Sequence, residues 1–195
     1  DFVMSNAKIS RVSWLESFVL KNNSQEHFST LTNFITVVIC SLLLVLSAKI
    51  KVDLYPVPMT LQTFVVYFIA ASMGMIGFYS TLSYVALGLM GLPVFAAGGG
   101  IGYVLSPTFG FLYGMILASL IIAYLSKNLF SKNILKLLFA VLIGAVVVFF
   151  CGIIHLASFI GFEKALSAGL YPFLYSELLK IGLAVSTSYL LIKKN

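Results

Sequence analysis

The segment Gly91–Gly114, GLPVFAAGGGIGYVLSPTFGFLYG, lies in the middle of a very apolar chain and decides how that chain can fold. Four glycines fall within residues 98–102, and each glycine costs about 1 kcal/mol relative to alanine inside a helix. Pro93 and Pro107 each remove a backbone donor. An irregular apolar segment at membrane depth is tolerated only where it is buried in protein or lines a cavity. We therefore predict a re-entrant glycine-rich loop beside a ligand site.

The composition predicts an all-α integral membrane protein. The 195 residues are 61% hydrophobic and 9% charged, whereas soluble domains carry about 25% charged residues. The apolar runs are about 20 residues long, which suits membrane-spanning helices and not barrel strands. We attribute the net charge of +6 to Lys and Arg residues around the spans, and not to a nucleic-acid partner. Cys40 and Cys151 lie inside apolar runs, as small buried hydrophobes do.

The apolar runs predict a bundle of six transmembrane helices. Residues 1–30 are more polar and are predicted to form a cytoplasmic amphipathic segment, with a six-helix domain over residues 31–195. The predicted spans begin and end near residues 31–48, 59–74, 79–90, 108–126, 134–160 and 171–192. The second and third are short, and a turn over Gly74–Phe78 separates them.

The distribution of positive charge predicts that both termini are cytoplasmic. In that orientation eight Lys and Arg residues lie inside, and three, Lys49, Lys51 and Lys164, lie outside. The loop over residues 49–58, in which prolines favour an extended chain, then shares the outer face with the glycine-rich segment. Two irregular segments on one face predict a pocket that opens outward.

Glu177 and Lys180 are the strongest candidates for a functional role. Lys180 is the only basic residue well inside an apolar run, and Glu177 stands three positions earlier, on nearly the same helix face. An ionisable residue inside a membrane is expensive and indicates function by default. The alternative is a structural ion pair near the membrane edge. The hypothesis of function carries more weight, because the pair could hold a small molecule with an anionic end and N–H donors.

Three further polar residues have a structural explanation beside a functional one. Gln62 lies in the motif TLQT, where Thr60 could cap the second span, but it could also donate into the pocket. Thr108 could cap the fourth span or line the pocket. His155 is expected to pack between helices as a hydrogen-bonding group.

The sequence lacks the patterns of an enzyme. It contains no metalloprotease, nucleophile-elbow or nucleotide-binding motif, and its only two histidines are His27 and His155. We therefore predict no catalytic residues, no metal, no cofactor and no ATP hydrolysis by this chain.

Four motifs occur in order along the chain, namely YPVPMTLQTF at residues 55–64, LGLMGLPVFAAGGGIG at residues 87–102, SPTFGFLYG at residues 106–114 and YPFLYSELLK at residues 171–180. Together they resemble the BioY family, the biotin-specific substrate-binding S components of energy-coupling factor (ECF) transporters. The resemblance covers about residues 40–192 and implies a six-helix bundle that binds biotin near its outer face.

The resemblance also implies which residues bind biotin. Glu177 and Lys180 match the acid and the lysine of the family's sixth span, and would meet either the ureido ring or, through the ammonium, the valerate group. The apolar thioether ring and tail suit the glycine backbone and aromatic side chains. The implied site consists of Gln62, Phe95, Gly99, Gly100, Tyr103, Thr108, Glu177 and Lys180.

The implied function is high-affinity biotin uptake across the bacterial inner membrane, as a multi-pass protein of the plasma membrane. Biotin is then the transported ligand, and the partners are the lipid bilayer, a transmembrane T component and two ATPase subunits, unless the chain works alone. The alternatives are an S component for another small vitamin, and a structural or enzymatic membrane protein.

The sequence departs from the family pattern at several positions. Glu177 stands where the family usually has Asp, and Phe109 stands where it has Gly. The latter change predicts a tighter pocket at that point or a contact made elsewhere. The first span lacks the clean Ala-x-x-x-Ala spacing through which many S components dock their transmembrane partner; its nearest small residues are Cys40, Ser41 and Ser47.

Overall fold

A computed structural model of the protein describes residues 30–128 and 133–194, most of which are helical. In chain order the elements are α1 (Thr30–Lys49), β1 (Lys51–Val52), β2 (Met59–Thr60), α2 (Gln62–Met73), α3 (Met75–Leu89), a 3-10 helix (Ile101–Leu105), α4 (Phe109–Asn128), α5 (Ile134–Ile160), α6 (Phe162–Gly169), a 3-10 turn (Tyr171–Phe173) and α7 (Leu174–Lys194).

The chain divides into two compact units, Asp1–Thr36 and Val37–Asn195. The predicted amphipathic segment over residues 1–30 lies outside the described residues except for Thr30, and residues 129–132 after α4 also lie outside them. The pocket and the contacts of the site all belong to the second unit.

Three of the described helices are long and apolar enough to cross a membrane, namely α1, α4 and α5. The helices α2 and α3 are apolar but have only 12 and 15 residues. At 1.5 Å per residue they extend for about 18 and 22 Å, which is less than the roughly 30 Å of a bilayer core. The 21 residues of α7 carry Glu177 and Lys180.

The turn between α2 and α3 is tighter than the sequence predicted. A single residue, Gly74, separates the helices, and its φ of 59° lies in the region that favours glycine. The predicted turn over Gly74–Phe78 was therefore wrong, because residues 75–78 form the first turn of α3. A Cβ atom at Gly77 would run into the backbone of Ile69 and Ala70, so the two helices cross closely there.

The loop after α1 folds back on itself. Its ends form a two-stranded antiparallel ribbon, in which Lys51 pairs with Thr60 and Val52 with Met59. The predicted second span therefore began too early: Met59 and Thr60 belong to the ribbon, and helix α2 starts at Gln62. The ribbon therefore holds the two ends of the loop side by side, directly before α2.

The start of the last long helix also differs from the prediction. The sequence predicted a span from residue 171, but Tyr171–Phe173 form a 3-10 turn and α7 begins at Leu174. The short helix α6, which was not predicted, precedes this turn. It follows Gly161, which ends α5 with a φ of 84°.

The helices α4 and α5 pack extensively along each other. Gly110 and Gly114 of α4 face α5, where an added Cβ atom would run into His155 and press on Val148. Small residues let the two backbones approach. The predicted fifth span over residues 134–160 coincides with α5, which Asn133 caps by accepting a hydrogen bond from the Leu135 N–H at 2.9 Å.

No α-helix forms between Leu89 and Phe109, which agrees with the prediction from the glycines and prolines that this segment is not a regular helix. An isolated bridge joins Phe95 and Gly98, and the 3-10 helix follows.

The small residues of α1 turn inward: Cys40, Ser41 and Ser47 are buried, and the Ser41 hydroxyl donates to the Ser80 carbonyl of α3 at 3.0 Å.

Candidate functional site

A pocket lies where the ribbon, the glycine-rich segment and the helices α2, α4, α5 and α7 meet. Its wall contains both polar and apolar side chains. Its lining consists of Val57, Pro58, Thr60, Gln62, Thr63, Ala96, Thr108, Phe111, Leu112, Met115, Val148, Phe149, Phe173, Glu177 and Lys180.

Glu177 and Lys180 form a buried ion pair in the wall of this pocket. They lie one helical turn apart on α7, with Lys180 Nζ 3.2 Å from Glu177 Oε2. Only 4% of Glu177 and 8% of Lys180 is exposed. We call these two residues, together with Thr63 and Tyr67 of α2, the charged pole.

The two α2 residues of the charged pole hold the carboxylate of Glu177. Tyr67 Oη donates to Glu177 Oε1 at 2.7 Å, and Thr63 Oγ1 donates to Glu177 Oε2 at 3.0 Å. The ammonium of Lys180 also donates to Thr63 Oγ1 at 3.2 Å. Thr63 and Tyr67 are four residues apart and therefore share one face of α2, which packs against α7.

The charged pole has unused bonding capacity. An ammonium has three donors, and Lys180 uses two of them, on Glu177 and Thr63. A carboxylate offers about four lone-pair sites, and Glu177 receives three bonds. Within the described part of the chain, one N–H donor of Lys180 and one acceptor site of Glu177 remain for a ligand.

Gln62 also lines the pocket, and its amide is held at both ends. Its Nε2 donates to Tyr84 Oη of α3 at 2.7 Å, and its Oε1 accepts from Thr60 Oγ1 at 3.1 Å. The Thr60 hydroxyl in turn accepts from the Gln62 backbone N–H at 3.3 Å. Thr60 thus satisfies an early helix donor, although Leu61 is the residue at the cap position. Tyr84 Oη also donates to the Val94 carbonyl, which connects α3 to the glycine-rich segment.

The glycine-rich segment contributes mainly backbone and packing. Phe95 is fully buried against Tyr84 and Tyr103 and does not line the pocket. Gly99 leaves no room for a Cβ atom beside the Leu92 carbonyl. Gly100 has a φ of 99°, and its N–H donates to the Gly88 carbonyl of α3 at 2.7 Å.

Tyr103 lies behind Thr108, which does line the pocket. Thr108 Oγ1 donates to Tyr103 Oη at 3.2 Å and lies 3.1 Å from Ser106 Oγ. Of the eight residues predicted for the site, Gln62, Thr108, Glu177 and Lys180 line the pocket. Phe95, Gly99, Gly100 and Tyr103 surround it without lining it.

Lys49 joins the end of α1 to the glycine-rich segment. Its Nζ donates to the Pro93 carbonyl at 2.8 Å and to the Phe95 carbonyl at 2.7 Å. Ala96, the next residue, lines the pocket. In the sequence analysis Lys49 was counted only among the positive charges on the outer side. No local pattern indicated that its side chain holds the glycine-rich segment.

Most of the apolar wall was missed at the level of sequence. Met115 follows Phe111 by four residues and Leu112 by three on α4, a spacing that places it on a shared helix face with each of them. Phe173 belongs to the motif YPFLYSELLK and could have been included. The α5 residues of the wall stand in a uniformly apolar run, where no pattern separates a pocket face from a lipid face.

Phe109 does not contribute to the pocket lining. Its ring packs against Tyr113 and His155, with ring centres 6.0 and 6.3 Å away. His155 Nε2 donates to the Ser106 carbonyl at 3.1 Å. His155 therefore ties α5 to the start of α4, which agrees with the packing role predicted for it.

Residues 21–194 match the BioY family. The chain belongs to the BioY family. One relative is the probable biotin transporter BioY of Pyrococcus horikoshii, which is 36% identical over 140 residues. The match covers 71% of this chain and 82% of the relative. The biotin transporter BioY of Thermotoga maritima is 35% identical over 145 residues, 73% of this chain and 85% of the relative.

A more identical BioY relative is matched over a shorter length. The probable biotin transporter BioY of Lysinibacillus sphaericus is 44% identical over 103 residues, so the match spans about half of that relative, 53%, and 52% of this chain. The fold resembles a crystal structure described as the S component for biotin from an ECF-type ABC transporter. The TM-score is 0.77 at 25% identity, covering 86% of this chain and 94% of that one. BioY relatives named as transporters, together with the apolar helices, indicate a membrane protein.

Proposed function

We propose that this protein is a membrane-embedded, high-affinity biotin-binding subunit for biotin uptake. The observation that carries the proposal is the buried Glu177–Lys180 pair, which lies in the wall of a largely apolar pocket. A buried pair of this kind is weak evidence for stability alone, so its position on a pocket wall favours recognition. Relatives named as biotin transporters supply the ligand.

The chemistry of biotin complements this pocket. The ion pair is neutral overall and leaves one N–H donor and one acceptor site. One edge of a cyclic urea offers a carbonyl oxygen and an N–H group, which is the reverse pattern. The apolar wall, with Phe111, Met115 and Phe173, suits the thioether ring and the aliphatic tail. We therefore assign the ureido ring, and not the valerate, to the charged pole.

Calorimetric titration of the purified protein with biotin and with biotinamide tests this assignment. Biotinamide keeps the ureido ring but lacks the negative charge of the valerate. We expect both to bind, with affinities within about tenfold of each other, which corresponds to 1.4 kcal/mol. Binding of biotin but not of biotinamide would indicate that Lys180 contacts the valerate group and not the ureido ring. Absence of biotin binding would overturn the proposed function.

A second candidate function is recognition of another small vitamin, and Glu177 in place of the family's Asp favours it. A thermal-shift panel of water-soluble vitamins separates the two, because a ligand raises stability by RT ln(1 + [L]/Kd). We expect biotin to give the largest shift. A larger shift with another vitamin would favour the second candidate.

We also propose that α1, α2, α3, α4, α5 and α7 are six spans of a bacterial inner-membrane protein. The residues between α3 and α4 would then form a re-entrant loop that supplements the two short helices. Both termini would be cytoplasmic, as the positive-inside rule predicts. Reporter fusions after Asn195 and within residues 161–170 test the orientation: we expect a cytoplasmic signal from the first and an external signal from the second.

The partners are proposed to be a transmembrane T component and two ATPase subunits, since the solved relative is described as part of an ECF-type ABC transporter. The outward face of α1 carries large side chains, such as Leu42 and Leu46, so docking would not use small residues there. Uptake of labelled biotin by cells with and without an energy-coupling module tests this proposal. Equal uptake in both would indicate that the protein works alone.

A further inference from the structure

Tyr67 occupies an unusual position for a polar side chain in this fold. It is fully buried in α2 and does not line the pocket. Its hydroxyl nevertheless makes the shortest bond of the charged pole, donating to Glu177 Oε1 at 2.7 Å. The phenol therefore touches the residue proposed to meet the ligand without touching the pocket itself.

The bonds of the charged pole form a closed arrangement around one carboxylate. Each of the two α2 hydroxyls in the charged pole gives its single proton to a different oxygen of Glu177, Tyr67 to Oε1 and Thr63 to Oε2. Lys180 donates to Oε2 and to the Thr63 hydroxyl. The ammonium is thus held on the Thr63 side, and the Tyr67 hydroxyl occupies the opposite oxygen.

Removal of the Tyr67 hydroxyl would leave Oε1 without its donor in a buried site. An unsatisfied buried oxygen is expensive, so the carboxylate would turn to take a second bond from Lys180. That rotation would consume the one N–H donor that Lys180 keeps for a ligand. The hydroxyl thus preserves the binding capacity of a residue that it does not contact.

We infer that Tyr67 is a positioning residue for ligand recognition: through Glu177 Oε1 it fixes the carboxylate and so keeps a Lys180 N–H directed to the pocket. This inference rests on the proposed biotin-binding function. It also depends on the length of Glu177. An aspartate at position 177 would withdraw the carboxylate by about 1.5 Å, one C–C bond, which is too far for the phenol to reach.

The test compares Tyr67→Phe in two backgrounds of the full-length purified protein, by calorimetric titration with biotin. In the Glu177 protein we expect Tyr67→Phe to weaken binding about tenfold or more, since a hydrogen bond to a charged group is lost. In the Glu177→Asp protein, where the bond is already absent, the same substitution should change the affinity less than about twofold. Such dependence on the neighbour is the mark of direct coupling.

Tyr113→Phe is the matched control. Tyr113 Oη donates to the Cys151 carbonyl at 3.1 Å, away from the charged pole. This variant also loses a tyrosine hydrogen bond between helices, and we expect its biotin affinity to remain within about twofold of the unsubstituted protein. The melting temperature of each ligand-free variant measures the structural effect separately.

Three results would overturn the inference. They are an unchanged affinity of Tyr67→Phe, an equal loss in the Glu177 and Glu177→Asp backgrounds, and an equal loss in Tyr113→Phe. Failure of the unsubstituted protein to bind biotin would instead overturn the proposed function. If Tyr67→Phe does not fold, Tyr67→Leu takes its place in the same two backgrounds: weakened binding only in the Glu177 protein supports the inference, and equal losses in the two backgrounds overturn it.

Discussion

The charged pole and the glycine-rich segment enclose the same pocket but are built in opposite ways. The charged pole consists of side chains on two regular helices, α2 and α7, joined by side-chain hydrogen bonds. The glycine-rich segment contributes mainly backbone groups. Hydrogen bonds to its carbonyl groups and close contacts between backbone atoms hold it in place. In the proposed site, the helices would therefore supply the polar groups that recognise the ligand, and the irregular segment would supply the shape of the wall.

The largest expected effect comes from dismantling the charged pole. Lys180→Ala and Glu177→Ala should each weaken biotin binding by at least about 100-fold, because each leaves a buried charge without its partner. Retention of labelled biotin by the purified protein measures the loss. Lys164→Ala and Glu163→Ala are matched controls on α6, since both side chains are exposed and lie outside the pocket lining. Unchanged affinity in both charged-pole variants would contradict the site.

The glycine-rich segment should respond to added volume and not to lost chemistry. In Gly99→Ala the new Cβ atom would run into the Leu92 carbonyl, and we expect the ligand-free protein to be destabilised by about 1–3 kcal/mol. Thermal unfolding measures this change. Gly102→Ala is the control, because nothing lies within 4 Å of the added atom there. Equal melting temperatures would indicate that the segment does not depend on this close approach.

Substitution of Lys49 tests whether a side chain from α1 stabilises the glycine-rich segment. Lys49→Met keeps the aliphatic stem but loses both bonds to the Pro93 and Phe95 carbonyls. We expect faster amide hydrogen exchange around these residues and biotin binding weakened by about two- to tenfold. Lys51→Met serves as the control, since the partner of Lys51 is the exposed Asp53. Unaltered exchange in Lys49→Met would show that the segment holds itself in place.

The smallest expected effect concerns Phe109. Because its ring packs on Tyr113 and His155 and does not line the pocket, Phe109→Ala should lower the melting temperature but change biotin affinity by less than about threefold. Calorimetric titration checks the affinity. A change above about tenfold would mean that Phe109 reaches the ligand when biotin is bound.

The irregularity of the glycine-rich segment and the pairing of Glu177 with Lys180 could be predicted from the sequence, because both follow from local rules. Glycine and proline oppose helices wherever they stand, and residues three apart share a helix face. Helix ends were predicted less well: Met59 and Thr60 pair with a strand instead of starting α2. Pairing with a distant strand is not encoded in the residues around the helix end.

Sequence by itself determined the apolar helices, the break between α3 and α4, and the candidate charges. Only the tertiary structure decided which groups meet them, because those partners are distant in the chain. Glu177 lies 110 positions from Tyr67, and Lys49 lies 44 positions from Pro93. A buried charge requires compensation, and sequence can state that requirement. Which hydroxyl or carbonyl satisfies it depends on how α2 packs on α7 and where α1 ends.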